Sequence, residues 1–237
     1  MKAGIIAAGL GERLRGRDTG FTQPKPLVPV AGKPLIDYVL AAVAQAGIVE
    51  VACIVNEQSR GIEEHCRAAW PGLQFAFVRR TTPSSMESLF TLSPLLSNER
   101  FVLLTVDAVF APAGLREFLA AAAARSDADG VLAVNGFVDD EKPLWVAQDG
   151  DGRIRELGPN ACNSGVVTAG FYVFDPLVFR EIAVARARQF SALRQFLGHL
   201  LSSGYRMYGE VVPKTVDVDR PADIAVAEAF VRSGFAA

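Results

Sequence analysis

Residues 3–11 read Ala3-Gly4-Ile5-Ile6-Ala7-Ala8-Gly9-Leu10-Gly11. A continuous apolar run, without the alternation of a half-buried strand, is the pattern of a strand covered on both faces. It ends in a Gly-X-Gly turn, where an α/β fold presents backbone N–H groups to phosphate. Working outward, residues 49–55, 73–78, 101–106 and 130–134 read as further buried strands. Between them, helical patterns begin at Leu35, Gly61, Ser84 and Pro112, and Gly47 suits the end of the first. Ser84-Ser85-Met86-Glu87 has the spacing of a capping box. Strands joined by crossover helices imply an α/β fold with a parallel sheet.

After residue 138 the texture changes to short strands at 144–148 and 153–157 around Asp149-Gly150-Asp151-Gly152, which reads as an antiparallel excursion. A strand at 168–174, a helix at 190–203, a strand at 205–212 and a closing helix at Pro221–Arg232 complete the chain. With no internal repeat or low-complexity linker, the expectation is one Rossmann-like three-layer α/β domain spanning 1–237. Its central sheet is mostly parallel, with a small antiparallel β excursion.

Composition narrows the function classes. Lys and Arg number 24 against 26 Asp and Glu, so there is no bulk attraction to nucleic acid or an anionic membrane. Half the residues are hydrophobic and 21% charged, which is globular rather than disordered composition. Three dispersed cysteines without CxxC, and two histidines, offer neither a zinc site nor a disulfide framework; a reduced cytoplasmic setting is expected. Glu12, Arg13, Arg15 and Arg17 stand where a signal-peptide cleavage region would lie, so no leader is expected. The uncharged stretch 157–174 contains Pro159, Asn160, Asn163 and three glycines, which suits no bilayer span.

The glycine turn alone fits a tight strand exit as well as a phosphate site. A dinucleotide fingerprint needs a third glycine where Leu14 stands, and a Walker A loop needs Gly-Lys-Ser/Thr. Arg13 follows two residues after Gly11, and Lys25 is set between Pro24 and Pro26, whose rings restrict its backbone. An arginine and a lysine near a glycine turn suit a triphosphate; the plain alternative is two surface charges.

Ala7-Ala8-Gly9-Leu10-Gly11-Glu12-Arg13-Leu14, Pro24-Lys25-Pro26-Leu27-Val28-Pro29-Val30 and Gly32-Lys33-Pro34-Leu35-Ile36 occur in order within some thirty residues. Together they resemble the nucleotidyltransferase family of sugar-nucleotide pyrophosphorylases and the related cytidylyltransferases for phosphocholine or phosphonates. The resemblance implies the nucleotide-diphospho-sugar transferase fold. It also implies Mg²⁺-dependent transfer of a nucleoside monophosphate from an NTP to a phosphorylated small molecule, most simply a sugar 1-phosphate, releasing pyrophosphate. On that basis Ala7, Ala8, Gly9, Gly11, Glu12, Arg13, Lys25 and Ser88 are the candidate nucleotide-binding residues. Lys25 lies against the α-phosphate and the acceptor phosphate, and residues 138–212 supply most of the acceptor side.

Asp107 falls at the carboxyl end of the strand at 101–106, where open α/β sheets bind ligands, and Mg²⁺ takes one or two carboxylates. Within Thr215-Val216-Asp217-Val218-Asp219-Arg220-Pro221-Ala222-Asp223, the family match puts Asp217 in the second metal-ligand place. Asp219 or Arg220 reads instead as the cap region of the Pro221 helix, and Asp223 as a first-turn acid. Arg13, Lys25, Asp107 and Asp217 are thus the expected catalytic set. Neither His65 nor His199 belongs to a recognisable triad, and both read as structural or solvated.

On the acceptor side, Ala169-Gly170-Phe171-Tyr172 matches the family's Ala-Gly-Xaa-Tyr segment. Gly170, Tyr172 and Asn163 are the expected acceptor-binding residues. The Glu-Lys-Pro that precedes this segment in many sugar enzymes is replaced by Leu157-Gly158-Pro159, and Glu141-Lys142-Pro143 comes too early to align with it. The loop before the third helix, Thr81-Thr82-Pro83-Ser84-Ser85-Met86-Glu87-Ser88-Leu89, is closer to the choline-phosphate type than to the sugar type. A dinucleotide enzyme and a non-catalytic nucleotide sensor are the rival readings. The first lacks its glycine and ribose-binding acid, and the second has little use for two metal acids.

Overall fold

The computed structural model describes residues 1–14, 22–59, 61–137 and 143–236. The first strand, β1 (Lys2–Ala7), is buried from Ala3 onward on both faces. A two-residue hairpin, β2 (Pro29–Val30) and β3 (Lys33–Pro34), leads into α1 (Leu35–Gln45). The alternation continues through β4 (Glu50–Val55), α2 (Ile62–Ala69), β5 (Gln74–Arg79), α3 (Ser85–Leu96), β6 (Phe101–Thr105), β7 (Ala108–Phe110), α4 (Pro112–Ala124) and β8 (Gly130–Asn135). The excursion is β9 (Val146–Gln148) and β10 (Ile154–Leu157), paired antiparallel as the Asp-Gly turn implied. The chain closes with β11 (Val167–Phe174), α5 (Ile182–Ala187), α6 (Leu193–Ser202), β12 (Met207–Val211), β13 (Thr215–Asp217) and α7 (Pro221–Arg232).

Seven strands form the central sheet in the order β12-β8-β11-β6-β1-β4-β5. Pairings β1–β4, β1–β6, β4–β5 and β12–β8 are parallel, whereas β11 runs antiparallel to both neighbours. From β1 the chain moves outward to β4 and β5, then returns to β6 on the other side. The strand order therefore reverses between β1 and β6, which opens a crevice at their carboxyl ends.

Helices pack on both faces. On α1, Leu35, Ile36, Val39, Leu40 and Val43 are fully buried. Each such side chain contributes ~1.5–3 kcal/mol by burial, and truncating Leu40 to Ala would cost ~2–5 kcal/mol. The other face packs α3 and α6 on the sheet through Leu89, Phe90, Phe196 and Leu200, with Phe90 and Phe196 edge to face. Ser84 Oγ accepts from Glu87 N at 3.3 Å, as the capping box implied. The Glu87 carboxylate turns instead to Arg186, at 2.9 Å. No helix among the described residues is long and apolar enough to cross a membrane.

Candidate active site

β1 delivers the glycine turn to the crevice. Gly11 has φ +64°, and a Cβ there would lie 2.8 Å from Lys25 Cβ, so both backbone and space require glycine. At Gly9, by contrast, an added Cβ would meet nothing within 4 Å. The fold therefore does not require glycine at that position. Asn56, buried just after β4, donates from Nδ2 to Gly9 O at 3.3 Å and accepts from Gln58 N at 3.0 Å. It ties the glycine turn to the neighbouring strand, a part the sequence did not reveal.

Lys25 opens a short 3-10 turn, Lys25–Leu27, and is only 8% exposed. Its Nζ donates to Asp107 Oδ2 at 2.8 Å and to Asp219 Oδ1 at 2.6 Å. Asp219 Oδ2 in turn lies 3.2 Å from Arg13. Burial opposes the charge on Lys25, yet the two carboxylates outweigh it and hold the ammonium above its ordinary pKa. Burial likewise opposes ionisation of Asp107, but Lys25 and the Thr105 hydroxyl hold its carboxyl below the usual range.

The carboxylates meet because β6 ends and its continuation β7 leaves the main sheet to pair antiparallel with β13. The register is Asp217 to Ala108, Val216 to Val109 and Thr215 to Phe110. Val218 N donates to Asp107 O at 3.0 Å, which carries Asp219 past Asp107 toward Lys25. Asp223 Oδ2 then accepts from the backbone N–H groups of Asp219 and Arg220, at 2.8 and 2.7 Å. Asp223 thus acts as the first-turn acid expected, and also fixes the segment that aims Asp219.

Gly170 closes the floor. It has φ +82° at an irregularity between β11 and β8, and a Cβ there would lie 3.0 Å from Ala108 Cβ and 3.2 Å from Thr105 Oγ1. Thr105 donates to its carbonyl at 3.3 Å. Only glycine lets β11 come this close to the β6–β7 corner.

Two cavities open here. The larger, about 750 Å³, is lined by Gly9, Gly11, Glu12, Arg13, Lys25 and Ser88 among others. The smaller, about 270 Å³, is lined by Asp217, Gly170, Tyr172, Phe137 and Arg194 among others. Ser85, Thr105, Asp107 and Asp219 line both, so the cavities meet at the carboxylate cluster. Ala7 and Ala8 are buried behind the turn, and it is Ile6 and Gly9 that reach the larger cavity. Ser88 Oγ is buried 2.6 Å from Thr82 Oγ1, so Thr82 shares the place expected of Ser88 alone.

Two expectations change. Asn163 lies exposed on the 3-10 turn Pro159–Ser164, just before the floor strand, and lines neither cavity. Asp219, read as part of a helix cap, points inward to Lys25 and Arg13, while Arg220 takes the cap position. Arg15, Arg17, Glu141 and Lys142 lie outside the described residues. His65 pairs with Asp37 at 2.9 Å and His199 with Glu181 at 2.7 Å, and neither lines either cavity. Among the described residues no group of three or more His, Cys, Asp or Glu side chains is arranged to hold a metal unaided.

A glycine turn at a topological switch point, with two cations beside it and carboxylates facing them, is an α/β site of the kind that suits a phosphorylated ligand. The chain belongs to the MobA-like NTP transferase domain family, which matches residues 3–211. It is 29% identical over 227 residues to the CMP-5'-(3-aminopropyl)phosphonate synthase of Streptomyces rubellomurinus, covering 88% of this chain and 32% of that one. It is also 29% identical over 194 residues to the glucose-1-phosphate thymidylyltransferase of Streptomyces griseus, covering 77% and 52%. The chain thus spans only part of the length of these relatives. The inositol-1-phosphate CTP transferase from T. maritima shares the fold, with TM-score 0.81 and 21% identity over 100% of this chain and 98% of that one.

Proposed function

We propose that this protein transfers a nucleoside monophosphate from an NTP to a phosphorylated small molecule, a sugar 1-phosphate or a similar acceptor, with release of pyrophosphate. The observation that carries the reading is the junction of the two cavities at Asp107 and Asp219, with Lys25 clasped between them. The triphosphate occupies the larger cavity against Gly9, Gly11, Arg13 and Lys25, and the acceptor occupies the smaller one.

An acceptor phosphate oxygen is already an anion, so no general base is needed. The chain's own contribution is to align the two substrates for in-line attack and to offset charge at the α-phosphate through Lys25 and Arg13. The buried, doubly held Lys25 loses little side-chain freedom when substrate arrives. Thr105 and Asn56 hold the floor and the glycine turn in place.

Mg²⁺ is part of this proposal. Asp107 and Asp217 border one cavity and supply hard oxygen donors, which suits an ion that takes one or two carboxylates and completes its shell with phosphate oxygens and water. When bound, the ion would neutralise phosphate oxygens.

A second reading is cytidylyl transfer to a phosphonate or phosphorylated amino alcohol. It draws on the similarity to the phosphonate synthase and on the presence of Phe137, Leu144, Leu193 and Leu197 in the lining of the smaller cavity, beside polar residues such as Thr168 and Thr215. Pyrophosphate release from each of four NTPs, with Mg²⁺ and a panel of sugar 1-phosphates, phosphocholine and phosphonates, separates the two readings.

A further inference from the structure

The smaller cavity has a charge problem. Its lining carries Asp217 beside Asp107 and Asp219, whose charges Lys25 and Arg13 already offset, and a phosphate monoester adds close to two more negative charges at neutral pH. Among the described residues that line it, Arg194 is the basic side chain. Arg13 and Lys25 line the larger cavity instead, and Lys25 is held by Asp107 and Asp219. Lys214 stacks over the Phe137 and Phe230 rings at 3.9 and 5.4 Å.

The position of Arg194 is set by its helix. Leu193 and Leu197 of α6 are buried and line the same cavity, and with Arg194 they span about 100° of helical arc. The buried leucines therefore fix the direction in which Arg194 leaves the helix. Tyr172 lines the same cavity as Arg194. A guanidinium also matches phosphate geometry with two parallel donors, which an ammonium does not.

We infer that Arg194 binds the phosphate or phosphonate group of the acceptor, in place of the family lysine that this chain lacks at Leu157-Gly158-Pro159. The inference rests on the transferase reading and assigns its acceptor-recognition residue. Arg194 makes a monoester or phosphonate dianion a requirement of the smaller cavity.

The test uses the full chain and the best acceptor from the panel. Arg194→Ala is expected to raise the acceptor KM at least tenfold while the NTP KM stays within twofold and kcat falls less than threefold. Arg194→Lys is expected to recover part of the loss. An acceptor KM within twofold of wild type, an equal rise in the NTP KM, or an acceptor KM that depends on Lys214 instead would overturn the assignment. Binding is read separately, as the shift in Tm produced by each phosphorylated compound of the panel without NTP. Protection of wild type that Arg194→Ala loses supports the assignment; equal protection of both, or of neither, overturns it. Protection that depends on Arg194 without turnover by wild type would count against the transferase reading alone.

Discussion

Lys25 Nζ sits 2.8 Å from Asp107 and 2.6 Å from Asp219, so one buried ammonium joins the ends of two separate chain segments. Removing it takes the cation from Asp107 and leaves Asp219 with Arg13. Both are about one-third exposed, so solvent screens part of the penalty, and Lys25→Ala is expected to cost ~1–3 kcal/mol. Its larger effect falls on turnover, with kcat lower by ~10²–10³. Steady-state rates and chemical denaturation on the same preparation check both. A wild-type rate would remove Lys25 from the site.

The two glycines of the turn should behave differently. Gly11→Ala forces a left-handed residue and a contact with Lys25 Cβ, so a destabilisation of ~1–3 kcal/mol is expected, with lost activity. Gly9→Ala enters open space, so Tm should stay nearly constant while the NTP KM rises at least ~10-fold, about 1.4 kcal/mol of binding. Equal loss of stability in the two variants would contradict the structural roles given to them.

This contrast also shows what the sequence could carry. The glycine turn, the helix that begins at Leu35 and the Pro221–Arg232 helix were legible because each depends on local periodicity or a local backbone need. The reversed direction of β11 was not, since an apolar run has no direction until neighbouring strands pair with it. Asp219 was misread for a similar reason. Its neighbours Val218 and Asp217 reach the site through the β7–β13 pairing, and three-residue strands leave almost no periodic signal. Asn163 stood near the Ala-Gly-Xaa-Tyr segment in sequence, but it lies exposed on the 3-10 turn before β11, and nearness along the chain does not place a side chain in a cavity.

Asp223 offers a test of positioning. Asp223→Ala removes the acceptor for two backbone N–H groups and is expected to cost ~1 kcal/mol, a fall in Tm of ~2–4 °C for a chain of this size. Because those groups belong to Asp219 and Arg220, turnover should fall too, and Asp223→Asn should restore much of both. A loss of Tm with full activity would mean that Asp219 does not depend on this cap.

The pH dependence of stability has a definite sign. The Asp107 pKa is held below its ordinary 3.8, so its contribution is complete above that value and is lost as pH falls through the depressed pKa. Lys25 is raised above 10.5, so its contribution is complete below that value and is lost as pH rises through the raised pKa. Thermal unfolding across pH without nucleotide or metal should show both limbs in wild type. Asp107→Asn should flatten the acid limb, and an unchanged acid limb would argue against the pair.

The metal assignment predicts a split between the acids. Asp217→Ala should raise the Mg²⁺ concentration needed for half-maximal rate at least ~10-fold, about 1.4 kcal/mol, with a smaller change in the NTP KM. A metal titration of the rate that matches wild type would take Asp217 out of the proposed ligand pair.

The most direct measurement is pyrophosphate release with Mg²⁺ across the four NTPs and the panel of phosphorylated acceptors. Release is expected to require both an NTP and an acceptor and to be abolished in Asp107→Ala. Absence of release with every pair, together with nucleotide binding that Asp107→Ala leaves unchanged, would contradict it and point to a nucleotide sensor built on the same fold.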